Sequence, residues 1–276
     1  MTAAESTPDP TALLTLAVDL VTDIAPRLVA ARAEQSDGTS TIDVATKSTA
    51  NDLVTEMDEW TERTLVDGIL AARPNDGILG EEGASVAGTS GVRWVIDPID
   101  GTTNYFYDLS GYSISVAVQV DGVTVAGVVS DPVRGELFTA TLGGGAFRNG
   151  KPIAPSAKDS VATALVATGF NYDNKRRIRQ ARALATVLPQ VRDIRRIGGA
   201  AVDICLVACG RADAQYEEGL SIWDVAAGLL IATEAGARAT EFGGATDQPG
   251  TWVISSPAIH DDLISLLAVA GALEQP

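Results

Sequence analysis

Two carboxylates three residues apart, Asp97 and Asp100, close an apolar run in Trp94-Val95-Ile96-Asp97-Pro98-Ile99-Asp100-Gly101-Thr102-Thr103-Asn104. The run reads as a buried strand. Pro98 fixes one φ angle between the two acids, and Gly101 allows the backbone to approach a ligand closely. A helix opening at Thr102 would turn free N–H groups toward an anion such as phosphate. The same residues also fit a strand, a turn and a capped helix in which both acids only accept backbone donors. On this stretch alone both readings stay open.

Other acids add to the pattern. Gly80-Glu81-Glu82-Gly83 follows the short strand Ile78-Leu79, a second strand end where carboxylates could face a crevice; a charged turn is the ordinary alternative. Asp224 falls in the first turn of a helix capped by Ser221, where the helix dipole stabilises a carboxylate in any case. Lys47 and the segment Asp52-Leu53-Val54-Thr55-Glu56-Met57-Asp58 bring a cation and further acids, which a solvated helix start would also explain. One His and two Cys exclude a multi-histidine or Cys₄ zinc site, and a disulfide scaffold with them. Any metal chemistry must use hard oxygen ligands.

Composition narrows the partners. Across 276 residues, 46% are hydrophobic, which is enough for a sizeable core. Twenty basic against 36 acidic residues leave a formal charge of −16, so a nucleic-acid backbone or anionic membrane is not an expected partner. The start MTAAESTPDP has no basic segment followed by an apolar one, so no signal peptide is expected and a cytoplasmic location is. The apolar stretch 263–273 is shorter than the about 20 residues of a membrane helix.

The positioning elements follow from periodicity. Leu13, Ala17, Leu20, Ile24, Leu28 and Ala31 step by three and four, predicting a helix that Pro26 should kink or divide. A polar loop, 34–52, carries Lys47 toward a second helix over about 53–72, with Val54, Met57, Leu65, Ile69 and Ala72 on its apolar face. Strands are predicted at 77–80 and 92–97. A hairpin follows over 113–129 about Asp121-Gly122, then a strand at 136–141 and a turn at Asn149-Gly150, which together form an antiparallel sheet closing a first lobe, 1–155. In the second lobe, 156–276, strands at 163–168, 192–197 and 212–217 alternate with helices at 175–188, 200–209 and 222–235; short strands and a helix at 258–272 follow. The class is layered α/β.

Six segments in order resemble the inositol monophosphatase family of magnesium-dependent, lithium-sensitive phosphatases. They are Lys47 with DLVTEMD, GEE at 80–82, DPIDGTTN at 97–104, GGGAFRNG at 143–150, IGGAA at 197–201 and YEEGLSIWDVAA at 216–227. The resemblance implies an αβαβα sandwich with a mainly antiparallel N-terminal sheet and a smaller mixed C-terminal one. It implies that Glu81, Asp97, the Ile99 carbonyl, Asp100 and Asp224 hold two or three Mg²⁺ ions, a hard-oxygen set suited to that cation. By the same resemblance Glu81 and Thr102 orient the attacking water and Asp58 positions Thr102. The N–H groups of Gly101 and Thr102 bind phosphate, and Gly198, Gly199, Ala200 and Glu217, beside Asp100 and Asp224, meet the alcohol. Lys47 and Asp52 support the site.

The implied substrate is a phosphorylated polyol, inositol phosphate first; histidinol phosphate, fructose 1,6-bisphosphate and nucleotide 3′-phosphates share the motifs. A homodimer is implied as well. Gly199 departs from the Ser or Thr of many relatives, and Tyr105-Phe106-Tyr107 is a variation expected to affect packing. Some bacterial members work with the RNA-synthesis machinery, which makes a partner-binding role the alternative of another class. It would use the basic run Lys175, Arg176, Arg177, Arg179, Arg182, Arg192, Arg195 and Arg196, otherwise read as a solvated face opposite Ile178, Ala181, Ala185 and Leu188. Cys205 and Cys209 are expected in the core, His260 solvated or capping, and Gly143-Gly144-Gly145 in a tight turn.

Overall fold

The computed structural model describes residues 8–36, 44–46, 53–244 and 250–273. Lys47 and Asp52 lie outside the described residues, as does most of the polar loop around them. Helices α1 (Pro10–Ser36) and α2 (Glu56–Ala72) cover one face of a sheet that has eight strands among the described residues. In space these run Lys151–Pro152, Gly145–Arg148, Glu136–Thr141, Val123–Asp131, Ser113–Val120, Val92–Asp100, Gly77–Gly80 and Ser85–Val86. Neighbours are antiparallel apart from Gly77–Gly80 beside Val92–Asp100. Trp94, Ile96, Val116 and Val118 pack on Leu28, Leu65 and Ile69 from the two helices.

Alternate residues of the same strands, Val95, Ala117 and Val129, face the other way onto α5 (Ala200–Ala208) and α6 (Ile222–Glu234), after the short α3 (Thr102–Phe106) and α4 (Asn174–Val187). Ile254 from a second sheet joins this core, so α5 lies between two sheets and is buried at every position. A helix apolar all round is what such a place requires. The second sheet runs Asp193–Arg195, Leu165–Thr168, Ala214–Glu218, Thr251–Ser255, Arg238–Phe242, its first three strands parallel and the rest antiparallel. Val187 of α4 and Leu263 and Leu267 of α7 (His260–Val269) close its far face. The five layers are the expected αβαβα sandwich. Among the described residues no helix is long and apolar enough to cross a membrane.

Several local expectations change. α1 runs unbroken across Pro26, because Leu13, Ala17, Val21 and Ile24 before it and Leu28 and Ala31 after it are buried along one stripe. At about 1.5–3 kcal/mol per large buried side chain, that packing offsets the roughly 3 kcal/mol of an interior proline. α2 starts at Glu56, because Leu53–Thr55 pairs as a strand with Val44–Thr46. Met57, Leu65 and Ile69 are buried and Ala72 is exposed, while the side chain of Val54 lies outside those described. Both two-residue turns form, with positive φ at Asp121 and Gly122 and at Asn149 and Gly150.

α4 turns the opposite way from expectation. It packs through Ala183 and Val187, leaving Ile178 55% and Leu188 47% exposed and Ala181 and Ala185 open as well. The basic run is not a uniform solvated face either. Arg179 Nη2 lies 2.8 Å and Arg176 Nε 3.9 Å from Glu218 Oε1, and Arg195 Nη1 lies 2.6 Å from Asp193 Oδ2. The glycine turn at 143–145 holds an anion of its own chain, since the N–H groups of Gly143 and Gly145 each donate to the Glu234 carboxylate at 2.8 Å. Cys205 is buried and Cys209 half-buried, both as free thiols.

His260 is not solvated; its backbone caps the short turn Pro257–Ile259, but its side chain bonds elsewhere. It is fully buried, with Nδ1 2.8 Å from Ser255 Oγ and Nε2 2.9 Å from Thr240 Oγ1. Burial, then the Arg238 charge, holds the imidazole below its ordinary value of 6.5. The unfolded chain therefore binds a proton that the folded chain resists, so this residue removes stability as pH falls below about 6.5. Denaturation midpoints between pH 7.5 and 5.5 should fall more steeply for wild type than for His260→Asn; parallel curves would contradict this.

Candidate active site

In a regular strand, residues three apart point to opposite faces. Asp97 pairs with Ser115 and Asp100 with Ser113, so two residues, Pro98 and Ile99, stand opposite Ile114 alone. This bulge brings both carboxylates to one cavity, and Pro98 sits where the ladder is already broken and no N–H is missed. The neighbouring strand ends at Gly80, and the Glu81 N–H reaches the Ile96 carbonyl at 3.1 Å. Beneath the following turn, Glu62 accepts from the N–H groups of Glu82 and Ala84 at 2.9 Å each. A Cβ on Gly80 would lie 2.1 Å from Glu62 Oε2, so the glycine gives the carboxylate room. Glu62 escaped the sequence reading because a buried acid on a helix looks like any surface acid.

Thr55 caps α2, and Asp58 Oδ2 accepts from both its N–H, at 2.8 Å, and its hydroxyl. The other oxygen, Oδ1, lies 3.1 Å from Thr102 Oγ1, which is equally 3.1 Å from the Ile99 carbonyl. Gly101 adopts φ 89°, and a Cβ there would meet the Gly111 carbonyl at 2.8 Å. α3 opens at Thr102 as expected. Asn104 then ties this corner to the second half of the chain, its Nδ2 donating to the carbonyls of Ser110, Gly111 and Ile197.

Asp100 is held by α5 across a hundred residues. Its Oδ1 accepts from the Ala200 N–H at 3.0 Å and its Oδ2 from the Ala201 N–H at 2.7 Å. Burial raises its carboxyl to about 7 against the pull of those two amides. This contact also accounts for Gly199, where a Cβ would stand 2.8 Å from the Gly111 carbonyl and 2.9 Å from Asp100 Oδ2. Asp224 takes the N3 position of α6, its Oδ2 accepting from the Ser221 N–H at 2.6 Å.

A cavity of about 480 Å³ unites these groups. Glu81, Asp97, Ile99, Asp100 and Asp224 line it, with Gly101, Thr102, Gly198, Ala200 and Glu217; Asp58 and Gly199 stand behind the wall. Asp97 is 1% exposed and its Oδ1 has no hydrogen-bond partner. Burial, then the charges of Glu81, Asp100 and Asp224, pushes its carboxyl well above the ordinary range, and burial with Asp100 and Glu81 does the same to Asp224. Among the described residues no three acidic, His or Cys side chains close into a ready-made metal cage. The acids surround an open volume instead. Crowded, partly orphaned hard-oxygen donors of one sign nevertheless fit an oxygen-loving divalent cation, which would relieve both their repulsion and the unmet Asp97 oxygen.

Two groups, one behind the cavity and one in it, were missed by the sequence reading. Asp203, in the middle of α5, is 1% exposed with an unpartnered Oδ1 and faces Glu217 and Asp100. Arg196, counted only in the basic run, lines the cavity itself. Tyr105 behaves as expected of a packing residue: it is buried, its hydroxyl donates to the Leu28 carbonyl at 3.3 Å, and its ring meets Tyr112 edge-on.

Comparison with known proteins places this geometry. The model of the inositol monophosphatase family matches residues 9–270. The inositol-1-monophosphatase of Mycobacterium leprae (strain TN) is 46% identical over 235 residues, covering 81% of each chain. The solved structure of Mycobacterium tuberculosis SuhB superposes with a TM-score of 0.80 at 39% identity, over 97% of this chain and 100% of that one. The Nus factor SuhB of Xylella fastidiosa (strain Temecula1) is 42% identical over 195 residues, 70% of each chain.

Proposed function

The chain belongs to the inositol monophosphatase family, and on that footing we propose that it hydrolyses phosphate monoesters with Mg²⁺, an inositol monophosphate being its preferred substrate. The observation that carries this reading is the bulge at Pro98-Ile99, which delivers Asp97 and Asp100 to the cavity of Glu81 and Asp224 beside the Thr102–Asp58 pair. Glu81, Asp97, the Ile99 carbonyl, Asp100 and Asp224 would hold two or three Mg²⁺ ions. When bound, the cations supply positive charge for the phosphate and for the departing alkoxide.

The chain's own groups do the rest. Asp58, anchored by Thr55, takes the Thr102 hydroxyl proton in a hydrogen bond and so leaves a Thr102 Oγ1 lone pair to accept from a water. Glu81 accepts the second proton of that water, which fixes its direction of attack. The N–H groups of Gly101 and Thr102 bind phosphate oxygens, while Glu217, Gly198 and Ala200, which line the cavity, meet the alcohol. A homodimer is also part of the proposal, with the open apolar residues Ile178, Ala181, Ala185 and Leu188 of α4 and its flank as the surface a second copy would cover.

A panel of esters assayed with Mg²⁺ tests the reading: inositol 1-phosphate, histidinol phosphate, fructose 1,6-bisphosphate and a nucleotide 3′-phosphate. Inositol 1-phosphate should give the highest kcat/KM, and no turnover of any ester would reject the phosphatase. Thr102→Ala should lower kcat by about 10²-fold or more, the usual worth of positioned proton transfer, with little change in Mg²⁺ affinity. Equal losses in both would remove the water-orienting role.

A second reading, as a partner-binding protein, is favoured by the relative named as a Nus factor and by the same open α4 face, which carries Arg177 and Arg182. Retention of RNA or of an acidic protein that falls as salt rises, and is lost in Arg177→Gln with Arg182→Gln, would support it.

A further inference from the structure

Among the described residues lining the acidic cavity, seven carry carboxylates and Arg196 alone is basic. Its guanidinium lies on the backbone of Gly198, where a Cβ would stand 2.6 Å from Nη1. The Gly198 carbonyl in turn abuts Gly101, lying 3.2 Å from where a Cβ on Gly101 would be. Arg196 is therefore one residue removed from the amides assigned to phosphate. Glu217 and Asp203 both feel its charge. Yet Arg196 forms no ion pair among the described residues, whereas Arg176, Arg179 and Arg195 each do.

Arg196 and Glu217, whose Oε2 accepts from Gln215 Nε2 at 3.3 Å, thus line one cavity beside the phosphate position without an ion pair between them. Adjacent hydroxyls fit that pair: one donates to the carboxylate while its neighbour accepts from the guanidinium. A second phosphate or carboxylate on the substrate fits less well, because seven carboxylates line the same cavity against one guanidinium.

We propose that Arg196 selects the substrate, binding with Glu217 a pair of adjacent hydroxyls on the alcohol and so favouring polyol phosphates over esters that lack such a pair. This rests on the reading of the cavity as a phosphate-ester site. It is tested by measuring kcat and KM with Mg²⁺ for inositol 1-phosphate and for p-nitrophenyl phosphate in wild type, Arg196→Gln and Arg196→Lys. Circular dichroism and sedimentation of each protein report fold and assembly.

The ratio of kcat/KM for the inositol ester to that for the nitrophenyl ester should fall about 10- to 100-fold in Arg196→Gln, as expected for losing a hydrogen bond from a charged group. The loss should sit mainly in KM for the inositol ester, and Arg196→Lys should keep more of the ratio than Gln. If the Gln variant misfolds, the Lys variant carries the comparison, with a smaller fall expected. A ratio within twofold of wild type in a folded variant overturns the proposal, as do equal losses on both esters. Wild type that hydrolyses neither ester overturns the phosphatase reading and this inference with it.

Discussion

Stripping divalent metal from the protein should reduce phosphate-ester hydrolysis to background, and Mg²⁺ should restore it. Glu81, Asp97, Asp100 and Asp224 border one cavity in which, among the described residues, Arg196 is the only basic lining residue against seven carboxylates. A pair of like charges about 4 Å apart costs on the order of 4 kcal/mol at the effective dielectric of a protein surface, and a phosphate dianion entering the cluster adds to this. Without cations the site should repel its own substrate. The same metal should also stabilise the fold, since it binds the assembled carboxylates and not the unfolded chain. Midpoints of thermal unfolding in chelator and in Mg²⁺ give a readout independent of turnover. Undiminished activity in excess chelator would remove the metal mechanism, and an unchanged midpoint would argue that no cation occupies the cluster.

The layered fold was readable because its signals are local. Alternation in 113–129, two turn pairs with Asn or Asp before Gly, and helices with regular apolar steps each need only a few neighbouring residues to be seen. The strand ends carrying Glu81 and Asp97 were legible for the same reason. What escaped depends on contacts distant in sequence. Asp100 is oriented by amides a hundred residues away, Glu62 by a turn twenty residues on, and His260 by hydroxyls on two strands of the second sheet.

α4 shows a different limit. Steps of three and four marked Ile178, Ala181, Ala185 and Leu188 as a stripe, but periodicity does not say which stripe meets the protein's own core. The helix rests on Ala183 and Val187, and the more apolar stripe is left outward. Arg196 was hidden within a run of similar charges. In the fold that run divides: three arginines pair with carboxylates, and one enters the cavity.

Asp97→Asn should separate function from stability. Asn fills the same volume, but it removes a charge from a buried position whose Oδ1 has no hydrogen-bond partner and whose neighbours are Glu81, Asp100 and Asp224. Its amide could donate to the Glu81 carboxylate, replacing a contact between two acids with an ordinary hydrogen bond. Turnover should fall by at least ~10²-fold, because even groups that only support a metal ligand are typically worth 10- to 100-fold. Metal-free Asp97→Asn should be as stable as metal-free wild type or more so, by roughly 1–3 kcal/mol, the usual cost of a buried polar group left unsatisfied. Mg²⁺ should then raise the wild-type midpoint more than the variant's, narrowing or reversing the order seen in chelator. Denaturant unfolding of both proteins, with and without Mg²⁺, measures all four stabilities. A variant that turns over normally, or one that is much less stable than wild type in chelator, would show that Asp97 is a structural carboxylate and that the cation is held elsewhere.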